Sequence, residues 1–201
     1  MRLFVGIALS DAVVRELKSV VARLRSKGAP AAAFRWTEPD SWHITLQFLG
    51  NATPEQLACL MARLGEVRSA PVPVELGTLG CFERAGVFFA DVAVTPGLAA
   101  LAERAVEATG HCGFVPETRT FHPHITLARS KGQSRGAGLR GLANGIRNQP
   151  QFTRFTAREF LLYESHLSRE GARYEVRGRF ALNGPGGEAW RVAAVRYALL
   201  Y

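Results

Sequence analysis

Apolar residues recur at helical spacing through Val13, Val14, Leu17, Val20, Val21 and Leu24. That spacing predicts an amphipathic helix over Asp11 to Lys27, capped by Ser10 and closed by Gly28. The preceding run, Met1 to Leu9, is too short before the polar Ser10-Asp11 pair for a secretory leader and reads as a first strand. Phe34 to Trp36 predicts a short strand, Pro39-Asp40 a turn, and Trp42 to Leu49 a strand ended by Gly50-Asn51. A cap followed by proline occurs twice, at Thr53-Pro54 and Thr95-Pro96, and predicts helices running to about Arg68 and about Thr109. Val72 to Glu83 and Val87 to Val94 read as a hairpin about Arg84-Ala85-Gly86, Thr120 to Ala128 as a strand, and Phe152 to Tyr163 with Arg173 to Leu182 as a final hairpin. Between them, Ser130 to Gln149 is glycine-rich and basic and is expected to be a mobile loop. The closing stretch, Glu188 to Tyr201, fits helix and strand equally. The pattern as a whole is α+β, mostly antiparallel, with three good helices and no linker long enough to separate independent domains.

Composition narrows the function classes. With 201 residues the chain suits one enzyme-sized body, and no apolar run reaches the roughly 18 residues of a membrane helix. Cys59, Cys81 and Cys112 are odd in number and widely spaced, so reduced thiols and a cytoplasmic setting are expected. Only three aspartates occur, Asp11, Asp40 and Asp91, and the acids do not cluster, which disfavours a two-metal phosphoesterase. No metal and no cofactor is expected.

The net charge of +8 is concentrated in one stretch. Between Thr118 and Arg158 there is no acid, while Arg119, Arg129, Lys131, Arg135, Arg140, Arg147, Arg154 and Arg158 supply eight positive charges. Such a stretch suits a polyanion, because arginine pairs phosphate oxygens in bidentate fashion. The count of 22 Arg against 3 Lys is also what a genome-wide bias in composition would produce.

The chemical signal is a repeated tetrapeptide: His43-Ile44-Thr45-Leu46 recurs as His124-Ile125-Thr126-Leu127, each inside a predicted strand. Alternation puts His43, Thr45 and Gln47 on one face, with Trp42, Ile44, Leu46 and Phe48 behind; His124 and Thr126 share a face in the same way. A lone strand histidine is usually structural, but a matched pair among five histidines marks a shared site. Two imidazoles suit in-line displacement at phosphorus, one taking a proton from the attacking oxygen and the other protonating the leaving oxygen. The threonine hydroxyls can donate to the nonbridging phosphate oxygens.

These motifs, with Arg2-Leu3-Phe4-Val5-Gly6-Ile7, Arg35-Trp36, Gln47-Phe48-Leu49-Gly50, Phe121-His122-Pro123 and Leu162-Tyr163-Glu164-Ser165, resemble the 2H phosphoesterases, specifically the RNA 2′,3′-cyclic phosphodiesterases also called 2′-5′ RNA ligases. The resemblance runs from Met1 to about Leu182. It implies a two-lobed, pseudo-symmetric fold, with antiparallel sheets lining a central groove and helices outside, over residues 1–182; residues 183–201 are then an extension of no assigned role. It further implies that an RNA end bearing a 2′,3′-cyclic phosphate, tRNA fragments among the candidates, is opened to a 2′-phosphomonoester. His43 would donate a proton to the leaving oxygen, His124 would accept one from water, and Thr45 and Thr126 would hold phosphate. Sequence alone does not order the two histidine roles. Reversal of the same chemistry would give 2′-5′ joining.

Arg129 is a phosphate candidate only if a strand end or bulge brings it round, since strict alternation places it opposite His124. His122 is expected to line the groove as a polar neighbour, and His111 and His166 to lie on the surface. Phe34, Trp36 or Phe121 would stack a base if exposed. A monomer with no membrane association is expected. Two alternatives remain open at this point: a phosphodiesterase acting on a small cyclic nucleotide, and a non-catalytic RNA-binding module.

Overall fold

The computed structural model describes residues 1–26, 34–131, 139, 142, 149–167 and 171–184. The chain begins β1 (Arg2–Ala8), α1 (Asp11–Ser26), β2 (Phe34–Trp36), a 3₁₀ turn (Pro39–Ser41), β3 (His43–Asn51) and α2 (Pro54–Gly65). It continues β4 (Val72–Val74), β5 (Leu76–Phe82), β6 (Val87–Val92), α3 (Pro96–Gly110), β7 (His124–Ser130), β8 (Phe155–Ala157), β9 (Glu159–Leu167) and β10 (Ala172–Ala181). One sheet has the order β10-β9-β1-β3, the second β2-β7-β6-β5, and β4 and β8 form a separate ribbon. Every pairing is antiparallel. The α+β, two-sheet architecture therefore stands as expected.

Local chemistry sets the element ends. Thr53 caps α2 through a reciprocal capping box with Gln56, and Thr95 caps α3 by accepting from the Leu98 amide. The strand expected from Thr120 starts only at His124, because Pro123 has no N–H to give a ladder; its carbonyl instead accepts from the Val92 amide at 3.1 Å. The expected strand Val72 to Glu83 divides at Glu75, where β4 leaves to pair with β8 while β5 stays with β6. The basic loop's Arg135, Arg140 and Arg147, and the closing stretch from Pro185, lie outside the described residues.

One continuous core joins both sheets. α1 buries Val13, Leu17, Val20, Val21 and Leu24, and α3 buries Leu98, Leu101, Ala102, Ala105 and Ala108. Both helices thereby back the sheets. No helix among the described residues is long and apolar enough to cross a membrane. The expectation of three reduced thiols is corrected: Cys59 of α2 and Cys112, just past α3, are disulfide-bonded, and Cys81 is outside the bond. Their separation of 53 residues carries no sequence motif, and only the packing of α2 against α3 brings the two Cα atoms to 5.8 Å.

The unit β1-α1-β3 is repeated as β6-α3-β7. In the first copy Ala8 pairs with His43, Ile7 with Ile44, Gly6 with Thr45 and Val5 with Gln47, so Leu46 is an extra residue. In the second, Asp91 pairs with His124, Ala90 with Ile125, Phe89 with Thr126 and Phe88 with Ala128, so Leu127 is extra. The repeated tetrapeptide thus carries the same β-bulge at its fourth residue in both halves. A bulge moves the following side chains to the other face.

Candidate active site

The first and third residues of each tetrapeptide keep the orientation that alternation predicts; residues after the bulge do not. Gln47, expected beside His43, is buried instead, and its Oε1 accepts from the Thr109 hydroxyl at 2.7 Å. Phe48, expected in the core, is 51% exposed, and its ring lies 6.1 Å from Phe4, which in turn contacts His43. By the same shift Arg129 comes round to the His124 face. Its charge contributes to lowering the proton affinity of both His43 and His124.

Both imidazoles are held alike. His43 Nδ1 lies 2.8 Å from the Ser41 carbonyl, and His124 Nδ1 lies 2.8 Å from the His122 carbonyl. A carbonyl only accepts, so Nδ1 carries the hydrogen in each ring and Nε2 is the atom that gains or loses a proton. His43 Nε2 is 3.1 Å from the Thr45 hydroxyl, which donates to it when the ring is neutral. Thr126 occupies the equivalent position after His124, and its main-chain oxygen accepts from the Thr37 hydroxyl at 2.6 Å.

Sequence reading did not find the aromatic walls around these rings. Phe4, Tyr174 and Tyr163 lie 4.5, 4.9 and 5.9 Å from His43, while Phe82 and Phe89 lie 5.1 and 5.4 Å from His124. These residues come from β1, β9, β10, β5 and β6, so only strand pairing assembles them. Apolar enclosure disfavours the imidazolium: burial first, then the charges of His124 and Arg129, holds His43 down to about 4 against the gain from the Ser41 carbonyl. His124 is also lowered, again chiefly by burial, with His122 and Arg129 adding to the fall. Burial likewise pushes the Tyr163 phenol up to about 12, so that hydroxyl stays protonated and neutral.

Among the other candidates, His122 Nε2 is 3.0 Å from Asp91 Oδ1, and its ring lies edge-on to Phe82. Phe34 is buried, and Trp36 and Phe121 are only partly exposed and pack against the core; Trp36 also lies 5.3 Å from the Arg25 guanidinium. None of these three stands free to stack a base. His111 and His166 are on the surface, as expected. The described part of the basic stretch is partly neutralised, since Arg119 pairs with Glu117 and Arg154 with Glu75. Among the described residues, three potential metal ligands converge only at Glu164, His166 and Glu175, on the strand faces opposite Tyr163 and Tyr174. Arg177 pairs with both of those carboxylates.

Gly6 sets how closely β1 approaches His43. A Cβ there would stand 2.7 Å from the Ile44 carbonyl oxygen, 3.5 Å from Tyr163 and 3.6 Å from the His43 ring. Gly6→Ala is expected to cost about 1 to 3 kcal/mol by overpacking. A melting curve checks this, at roughly 2 to 4 °C per kcal/mol for a chain of this size. Unchanged melting would show that β1 moves aside freely.

The fold and its paired imidazole strands define a two-lobed protein of the 2H phosphoesterase class. A family model described as LigT like phosphoesterase matches residues 7–89 and 90–174. Among curated relatives, an RNA 2′,3′-cyclic phosphodiesterase from Bacillus subtilis (strain 168) is 27% identical over 186 residues, covering 90% of this chain and 96% of the relative. One of the same name from Geobacillus stearothermophilus is 30% identical over 190 residues, and there the alignment spans 57% of the longer relative. The crystal structure of Escherichia coli LigT complexed with 3′-AMP superposes with a TM-score of 0.73 at 29% identity, covering 90% of this chain and 98% of that one. A crystal structure from Thermus thermophilus matches with a TM-score of 0.72 at 26% identity, covering 92% and 100% of the two chains. The chain belongs to the LigT-like phosphoesterase family.

Proposed function

We propose that the protein hydrolyses RNA ends bearing a 2′,3′-cyclic phosphate to 2′-phosphomonoesters, with His43 and His124 as acid and base. The observation that carries this reading is the matched pair of imidazoles, each with Nδ1 locked on the carbonyl two residues before it and each followed by a threonine and a bulge. The names of the relatives supply the substrate class.

In this mechanism His124 Nε2 takes a proton from water as the water oxygen bonds to phosphorus. The bond from phosphorus to the 3′ oxygen breaks, and His43 Nε2 gives that oxygen its proton. The product is a 3′ hydroxyl and a 2′-phosphomonoester, and the two rings end with their protons exchanged. Thr45, Thr126 and Arg129 stabilise the charge on the nonbridging oxygens. The order of the two roles is the one the family resemblance implies; burial makes His43 hold its proton weakly in the free enzyme, so its donor role requires the bound anion to raise its proton affinity. A bound phosphodiester anion raises the proton affinity of both rings by offsetting Arg129 and their mutual repulsion. The steps run backwards as 2′-5′ joining.

The pH profile follows from the lowered proton affinities. Catalysis needs one proton on the pair, a population that peaks midway between the two pKa values. Both lie below the unperturbed 6.5, so kcat/KM for a cyclic-ended oligonucleotide is expected to peak below about pH 6.5 and to decline as pH rises and the donor is lost. Turnover in the presence of a chelator, measured across pH, checks this. A flat profile, or no turnover of any cyclic phosphate, would remove the two-histidine reading and leave RNA binding alone.

A further inference from the structure

Among the described residues β2 has no counterpart beside β3 in the other sheet. β3 forms the outer edge of its sheet, whereas its equivalent, β7, carries β2 on that outer side. In the β2–β7 ladder Arg35 stands directly opposite Arg129. Cross-strand partners point to the same face with Cβ atoms about 4.5 to 5.5 Å apart, so Arg35 shares the face to which the Leu127 bulge turns Arg129. Its neighbours Phe34 and Trp36 pack on the core on the other side.

Like charges placed directly opposite are destabilising unless something neutralises them. Among the described residues neither arginine forms an ion pair with a carboxylate, whereas Arg119, Arg154, Arg177 and Arg179 each do. Arg35 is exposed on the edge strand of its sheet. Arg35 and Arg129 therefore place two cationic side chains next to each other on one face of the β2–β7 ladder, and Arg129 is the one of the two whose charge acts on the imidazoles.

We infer that Arg35 binds the phosphodiester one nucleotide upstream of the reacting cyclic phosphate, and so makes the enzyme prefer an RNA oligomer to a cyclic mononucleotide. This rests on the cyclic phosphodiesterase reading above and extends it to the length of the substrate. A cyclic mononucleotide has no second phosphate and gains nothing from Arg35. Because β2 has no counterpart beside β3 among the described residues, Arg35 also sets the direction in which the strand leaves the site.

The experiment compares Michaelis constants for a 2′,3′-cyclic mononucleotide and a cyclic-ended oligoribonucleotide in the wild type, Arg35→Gln and Arg35→Lys, with Arg63→Ala as a remote control. Arg35→Gln is expected to raise the ratio of KM for oligomer to KM for mononucleotide about tenfold, the worth of one charge-assisted hydrogen bond. It should also lower the slope of oligomer affinity against salt by about one. Arg35→Lys keeps the charge and should restore the slope, while Arg63→Ala should leave the ratio as it is. If the wild type turns over both substrates and Arg35→Gln leaves the ratio and slope unchanged, the upstream phosphate site is wrong and the enzymatic reading survives. If the wild type turns over neither, the enzymatic reading fails first, and the inference with it.

Discussion

His124→Ala is expected to lower kcat/KM on a cyclic-ended oligonucleotide by about 10² to 10⁴, the usual worth of one positioned acid or base. His43→Ala should fall in the same range. In the proposed mechanism the two rings act on one phosphorus in one step, so their losses should not add: the double variant is expected to lie close to the worse single one. Folding should survive, because neither ring belongs to the continuous apolar core. The lost partners are the Ser41 and His122 carbonyls and, at His43, the Thr45 hydroxyl. A measured loss below tenfold in either single variant, with melting unchanged, would end the proposal that the pair shares the proton transfers.

Arg129→Ala should have the second-largest effect and carries a signature of its own. If Arg129 holds the nonbridging oxygens as proposed, its loss is expected to lower kcat/KM by about 10² to 10³, comparable to removing one preorganised donor from an oxyanion site. The same cation lowers the proton affinity of both imidazoles, so its removal raises both. The variant's pH optimum should therefore move to higher pH, whereas a variant that merely weakens binding would keep the wild-type optimum. Arg129→Lys retains the charge but not the bidentate fork, and should recover the pH optimum while remaining slower. Should the optimum of Arg129→Ala move to lower pH, or stay where it is, the charge of Arg129 does not act on the two rings as described.

The difference between Arg129 and Phe48 shows where the sequence stopped being informative. Each follows its histidine by five residues, and simple alternation sends both to the backing face. One extra residue in each strand turns both into the groove, where one presents a guanidinium and the other an apolar ring. No residue type announces that bulge: Leu46 and Leu127 look like ordinary strand leucines, and the register that makes them extra exists only once β1 and β6 are paired. The same shift buries Gln47, which alternation had placed beside His43. The aromatic walls were illegible for a related reason, because Phe4, Tyr163 and Tyr174 come from three strands far apart in the chain.

Local rules did settle much of the chain. The helical periodicity of α1, the two cap-then-proline starts, the Phe34–Trp36 strand and the duplicated tetrapeptide all follow from neighbours within a few residues, where hydrogen-bond geometry and side-chain spacing suffice. The two candidate imidazoles, their threonines and the family resemblance were likewise visible in the one-dimensional pattern. Tertiary structure alone decided which way each side chain points after the bulge, which strands wall the rings and hold them short of protons, and that Cys59 meets Cys112. The reason is physical: orientation in a sheet depends on the register of a partner strand, and proton affinity depends on what excludes water, and both are set by segments that touch only after the chain has folded.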